Sequence, residues 1–231
     1  MLPARPVSVA GSALREGRMW NGVEKWPAPS AIMTFEEGDP DENPWVAGRP
    51  VPEAIRIEPH APDWAARFET ARAVLATALR GCALGIAHVG STAVPGLPSK
   101  PVIDIDLTVS DPEDEDAYLP RLTALGYRLT VRERTWYHHR MLRHDAPRIN
   151  LHVFGPGCPE HARHVLFRDW LRTHPDDRDR YAAAKRAARE GAADVPQYNA
   201  KKQDEIYRIY RNIFVSRGWI AGQGAGMSRR G

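Results

Sequence analysis

The chain has 231 residues, 42% of them hydrophobic and 26% charged, which is ordinary globular usage and excludes a collagenous or wholly disordered polymer. The net charge is +3, and residues 1–50 carry five Lys/Arg against seven Asp/Glu, so the remainder carries +5. That excess favours anionic small ligands, gives no reason to expect a membrane surface, and falls short of the concentrated basic stripe of a duplex nucleic-acid binder.

Residues 1–50 read as a disordered N-terminal extension. Trp26-Pro27-Ala28-Pro29 and the acidic run from Glu36 to Glu42 show no sustained periodicity, too little to offset the entropy of ordering them. Met19 and Met33 are alternative starts. One folded domain is expected over residues 51–220, followed by a disordered tail, 221–231. Pro62 suits a first helical turn, and Trp64, Phe68, Ala71, Leu75 and Leu79 form an apolar stripe that stops at Gly81. A strand is predicted over Leu84–Val89, then a Gly90-Ser91-Thr92 turn, then a strand bearing Asp104 and Asp106.

Side chains alternate along a strand, so Ile103, Ile105 and Leu107 form its core face while Asp104 and Asp106 share the other. Such carboxylates start roughly 6.5 to 7 Å apart at the backbone, and repel by about 2 to 3 kcal/mol at an effective dielectric near 20. A bound Mg²⁺ relieves that repulsion, since it takes one or two carboxylates and fills its octahedron with water and phosphate oxygens. Gly90 and Ser91 supply the complementary half, a backbone approach and a hydroxyl donor for an oxyanion. Lys100 stands in the Pro98–Pro101 loop between the two.

Downstream, the acidic residues 111–116 precede Leu119, Leu122 and Leu125 and suit the positive end of a helix. Three strands follow, at Tyr127–Val131, Trp136–Leu142 and Arg148–Phe154, with separations short enough for antiparallel neighbours. On the last strand Arg148, Asn150 and His152 share a face. If it lies beside the Asp104 strand, His152 reaches the acidic pair as metal ligand or proton acceptor, or is simply a hydrogen-bonded strand histidine; Arg148 and Asn150 suit substrate contact. Cys158, His161 and His164 have short spacings but lack a fourth ligand for structural zinc, so His161 and His164 are expected on an exposed turn before a Val165–Leu171 helix. The rest is helical. Arg168 and Arg172 are expected to reach toward phosphate, while Lys185, Lys201 and Lys202 are either solvated or closed over a triphosphate. Only Cys82 and Cys158 occur, with no leader-like or long apolar run, which predicts a reduced, cytoplasmic protein.

The run from His88 through Leu97, continued by Lys100-Pro101-Val102-Ile103-Asp104-Ile105, resembles the signature of the GrpB family, a branch of the nucleotidyltransferase-like superfamily. The resemblance continues through Asn150–Val153, Phe167–Arg172, His174-Pro175 and the pairs Tyr181/Lys185 and Tyr198/Lys202, covering about residues 53 to 219. It implies an α+β nucleotidyltransferase-like fold: a mixed sheet of about five strands flanked by helices, with a helical C-terminal segment. It also implies a Gly-Ser turn after the first strand, a carboxylate pair on the next and a third carboxylate on a later strand, where this chain has His152 instead. The functional expectation is a Mg²⁺-dependent protein that binds a nucleoside triphosphate through Gly90, Ser91, Thr92, Lys100, Arg148, Asn150 and Lys202. It would transfer a nucleotidyl group with Asp104, Asp106 and His152. The alternative is a non-catalytic module for a nucleotide or other phosphorylated metabolite, such as a coenzyme A precursor.

Overall fold

The computed structural model describes residues 26–49, 54–190, 192 and 195–221. A five-stranded mixed sheet, β1 (Ala83–Val89), β2 (Ile103–Val109), β3 (Arg128–Arg132), β4 (Arg140–His144) and β5 (Ile149–Phe154), runs in the order β1-β2-β5-β4-β3. Only β2 and β5 are parallel. Helices α1 (Pro29–Met33), α2 (Asp63–Ala78), α3 (Leu119–Ala124), α4 (Pro159–Thr173), α5 (Pro175–Glu190), α6 (Val195–Lys201) and α7 (Gln203–Ser216) flank it. The fold is α+β, as the sequence predicts.

The stripe of α2 behaves as its spacing requires: Trp64, Phe68, Ala71 and Leu75 are buried, with Leu79 just beyond, against Ile103, Ile105, Leu107, Leu151 and Val153 of the sheet. A second apolar cluster joins α1, α4, α5 and α7 through Ile32, Leu166, Tyr181, Ile209 and Ile213. Between the two cores lies the other face of the sheet, where β2 presents Asp104 and Asp106 and β5 presents Asn150 and His152. Parallel register sets Asp104 against Asn150 and Asp106 against His152. α4 closes over this polar seam.

Several expectations are corrected. Residues 136–139 are not strand: β4 begins at Arg140, and Tyr137 and His138 take positive φ of 52° and 51° as the chain turns back, with the His139 amide donating to the Trp136 carbonyl. Aromatic composition there reflects packing rather than extension, since Trp136 stands edge-on to His139. The acidic run serves two arginines rather than a helix dipole. Glu115 accepts from Arg132 Nε at 2.7 Å and Arg140 Nε at 2.6 Å, which, with burial opposing, holds its carboxyl below the usual range.

Residues 26–49 are packed, not a loose appendage. Ile32 is buried in the helical core, and Arg163 of α4 donates to the carbonyls of Ile32 and Thr34, both at 2.9 Å. Glu42 accepts from the Thr135 hydroxyl at 2.6 Å, and Trp45 bridges to Val131 at the β3 edge. Composition missed this because the partners lie about a hundred residues away. Residues 1–25 and 222–231 of the expected terminal extensions lie outside the described residues.

His88 shows how the sheet meets α2. It stacks on Phe68 at 4.6 Å, and its Nε2 lies 3.1 Å from the Thr92 hydroxyl, which itself donates to the Val102 carbonyl. Nε2 is therefore the donor to Thr92. Burial, then the charges of Arg172 and Arg168, pull the imidazole down to about 4. A histidine kept neutral in the fold but able to take a proton once unfolded withdraws stability as pH falls below about 6.5, with the loss levelling off near its folded value. Urea midpoints at pH 7 and pH 4.5 should show the wild type losing about 2 to 3 kcal/mol more than His88→Gln.

Candidate functional site

A cavity of about 350 Å³ opens between the sheet's polar seam and the helical layer. Its sheet side is made by the turn after β1. Gly90 has φ of +67°, and a Cβ there would collide with the Asp104 carboxylate, so this turn can pass the strand only with glycine. Ser91 lines the cavity beside it and is hydrogen-bonded to Tyr181 of α5. Asp104 accepts from Asn150 Nδ2 at 2.9 Å. Burial raises its carboxyl, although Asn150 and the charges of Lys100, His164 and Lys202 oppose the rise.

Three lysines converge here. Lys100 and Lys202 both stand over the Tyr198 ring, at 5.4 and 4.6 Å from its centroid. Lys185 is 2% exposed, not solvated, and donates to the Pro98 carbonyl at 2.5 Å with Ser99 Oγ at 3.3 Å. Burial, then the positive charge of Lys202, pulls the Lys185 ammonium down to about 7; burial pulls Lys202 down to about 8. Among the described residues the buried Tyr198 hydroxyl has no hydrogen-bond partner, a cost of about 1 to 3 kcal/mol. Three ammonium groups are thus gathered on one cavity wall at a cost in desolvation. The sequence signal was the repeated Tyr-x-x-x-Lys spacing, which puts Tyr181 and Lys185 on one face of α5, while Lys202 follows the end of α6.

Asp106 is built differently from Asp104. It is wholly buried, and its carboxylate accepts from His161 Nδ1 at 2.8 Å and from His164 Nδ1 at 3.0 Å. Burial alone would raise it, but the His164 charge and the two imidazole hydrogen bonds outweigh that and hold it well below the usual carboxylate range. His164 in turn has Glu160 3.4 Å from its Nε2, and against the opposing effect of burial the two carboxylates hold it well above an ordinary histidine. His161 and His164 therefore belong to α4 and face the sheet, not an exposed turn. Helical spacing of three residues could have suggested a shared partner, but not that the partner is Asp106.

The remaining expected residues divide. Gly90, Ser91, Lys100, Asp104, Asn150 and Lys202 line the cavity; Thr92, Asp106, Arg148 and His152 do not. Thr92 is turned into the core. Arg148 is exposed at the start of β5. Arg168 and Arg172, expected at phosphate, instead donate to the carbonyls of His88 and Ala93, at 2.8 and 2.9 Å, pinning the glycine turn to α4. His152 lies beside Asp106 in register, but its Nδ1 is 3.0 Å from His139 Nε2, and His139 Nδ1 donates to Glu133 at 2.6 Å. Burial, then His139, pulls His152 down to about 3, weak for a base working near neutral pH.

A magnesium ion shared by Asp104 and Asp106 does not fit this donor set, because both Asp106 oxygens are committed to imidazoles. Among the described residues no group of three His, Cys, Asp or Glu side chains is placed to hold a metal. No helix among them is long and apolar enough to cross a membrane.

The architecture is a glycine-serine turn facing a carboxylate strand under a helical cap. The family model described as GrpB protein matches residues 54–212, and the chain belongs to the GrpB family. It is 44% identical over 159 residues to a UPF0157 protein of Halalkalibacterium halodurans, spanning 68% of this chain and 82% of that one. A protein of Mycolicibacterium paratuberculosis named dephospho-CoA kinase is 33% identical over 195 residues, spanning 71% of this chain but 48% of that protein. The crystal structure of conserved protein GrpB from Enterococcus faecalis superposes with a TM-score of 0.61 at 26% identity, over 71% of this chain and all of that one.

The two carboxylates of β2 should respond oppositely to neutralisation. Asp106→Asn strands the His164 imidazolium in a buried site and should cost about 3 to 5 kcal/mol, whereas Asp104→Asn should stay within about 1 kcal/mol; paired thermal and urea melts check it. The His164 contribution has the opposite pH sense to that of His88: it is fully present below about 6.5 and is lost as pH rises through the raised folded value.

Proposed function

We propose that this protein binds a phosphorylated small molecule, of nucleotide kind, in the cavity between the Gly90-Ser91 turn and the Tyr198 helix, and that it works as a binding or accessory module. The observation that carries the reading is the convergence of Lys100, Lys185 and Lys202 on one cavity, with Lys100 and Lys202 over the Tyr198 ring. An anionic ligand there restores the ammonium charges that burial suppresses. Ser91, Ser99 and the Gly90 backbone add neutral donors, and His164, held as a cation by Asp106 and Glu160, adds charge at the wall. Asp104 accepts from Asn150 beside this set and feels the charges of Lys100 and Lys202.

Nucleotidyl transfer is the second reading, supported by the Gly90 turn standing directly against the Asp104 carboxylate, the arrangement its superfamily resemblance implies. It needs Mg²⁺ to arrive with the nucleotide and be met by Asp104, since Asp106 is engaged elsewhere. A coenzyme A precursor is a third ligand within the same chemistry, suggested by the relative named dephospho-CoA kinase.

Calorimetry with ATP, dephospho-coenzyme A and tripolyphosphate, with and without Mg²⁺, followed by product analysis, separates these. Binding without turnover fits the module; release of pyrophosphate with a nucleotidylated product establishes transfer; no binding by any probe refutes the anion site. Lys202→Ala should weaken phosphate-bearing ligands by about 10- to 100-fold, the value of a charge-assisted hydrogen bond, with an unchanged melting temperature. Because the unliganded Lys185 and Lys202 lose their protons near 7 and 8, affinity should fall as pH rises from 6.5 to 9, with proton uptake on binding visible as a buffer-dependent enthalpy.

A further inference from the structure

The cavity wall is completed by a residue from outside the part of the chain that matches the family. Phe35 lies N-terminal to residue 54, where the match begins, yet it lines the cavity together with Phe167, Ile206 and Tyr210. We infer that Phe35, held in place by the packed 26–49 segment, is a specificity-determining residue that selects ligands carrying a flat aromatic group, such as a nucleobase, in addition to phosphate. This rests on the anion-binding reading above and adds the other half of the ligand to it.

Three observations support the assignment. First, Phe35 is fixed rather than loosely draped. Arg163, 1% exposed, donates to the carbonyls of Ile32 and Thr34 just before Phe35, to Glu160 at 2.6 Å and to the Tyr137 hydroxyl at 3.0 Å. Beyond Phe35 the Glu36 carbonyl accepts from Trp136 Nε1 at 3.0 Å. Second, the ring is part of an aromatic set: it meets Tyr207 and Tyr210 edge-on at 5.0 and 5.3 Å, and Tyr210 meets Phe167 at 5.2 Å. Third, Phe35 lines the cavity and is 37% exposed, with the Arg163 guanidinium over its ring at 4.9 Å from the centroid. The lysines and Tyr198 gather elsewhere in the same cavity, with Tyr181 between the two groups: it touches Phe167 at 5.3 Å, hydrogen-bonds to Ser91 and shares its helix with Lys185. A volume of about 350 Å³ is at the small end of the range for organic ligands. An aromatic end and a cationic end in one cavity match a base joined to phosphate.

The test is calorimetry on the full chain with two probes, ATP and tripolyphosphate, for wild type, Phe35→Ala, Phe35→Leu and Phe35→Trp. Stacking on a protein ring accounts for about tenfold or more in affinity per base. The expected result is therefore a loss of about tenfold for ATP in both Phe35→Ala and Phe35→Leu, near-wild-type ATP affinity in Phe35→Trp, and tripolyphosphate affinity within twofold throughout. Phe35→Leu keeps apolar packing without a ring, so ATP affinity preserved in that variant overturns the aromatic role. Equal losses for both probes also overturn it, by showing that Phe35 only supports the cavity. Wild-type binding of tripolyphosphate but not ATP overturns the inference while leaving the anion site standing; binding of neither overturns both.

Discussion

The buried Asp106 carboxylate is the interaction on which the arrangement of this protein depends. It sits on the sheet's inner face and takes hydrogen bonds from two histidines one helical turn apart on α4. A charge in that position is tolerated only when partnered, and satisfying it sets both the height and the rotation of α4 over β2. Once α4 is placed, Glu160, His164 and Phe167 face the cavity, and Arg168 and Arg172 reach the carbonyls that hold the Gly90 turn. The same helix carries Arg163, which gathers the N-terminal segment. One polar contact thus positions three walls of the site.

Two adjacent carboxylates on one strand face consequently have different tasks. Asp106 is consumed by structure, and its low proton affinity reflects the His164 charge and the two imidazole hydrogen bonds. Asp104, two residues earlier, reaches the cavity, where burial raises its proton affinity and the lysines restrain that rise. The divergence follows from environment alone, because the residues are chemically identical. It also explains why two carboxylates that resemble a shared metal centre in sequence are separated in the fold, one held by imidazoles and one lining the cavity.

Cation clusters of this kind are kept at a cost. Lys185 is nearly sealed, Lys202 is pulled toward neutrality, and among the described residues the Tyr198 hydroxyl has no partner. Structural lysines are normally exposed or paired with acids, so the site departs from the rule in the direction that ligand binding would correct.

The sequence by itself determined the local elements: the α2 stripe, the alternation that put Ile105 inward and Asp104 outward, the β3-β4-β5 neighbours and the glycine turn were all legible, because periodicity reports which face is buried. It also named Ser91, Lys100, Asn150 and Lys202 as candidates that the cavity gathers. What only the tertiary structure decided was which polar groups meet. The engagement of Asp106 by His161 and His164, the capture of Arg168 and Arg172 by carbonyls, the burial of Lys185 and the entry of Phe35 join residues tens to more than a hundred positions apart. Such contacts leave no period in the chain. They are settled by how the helices pack on the sheet, where a buried polar group left without a partner is costly.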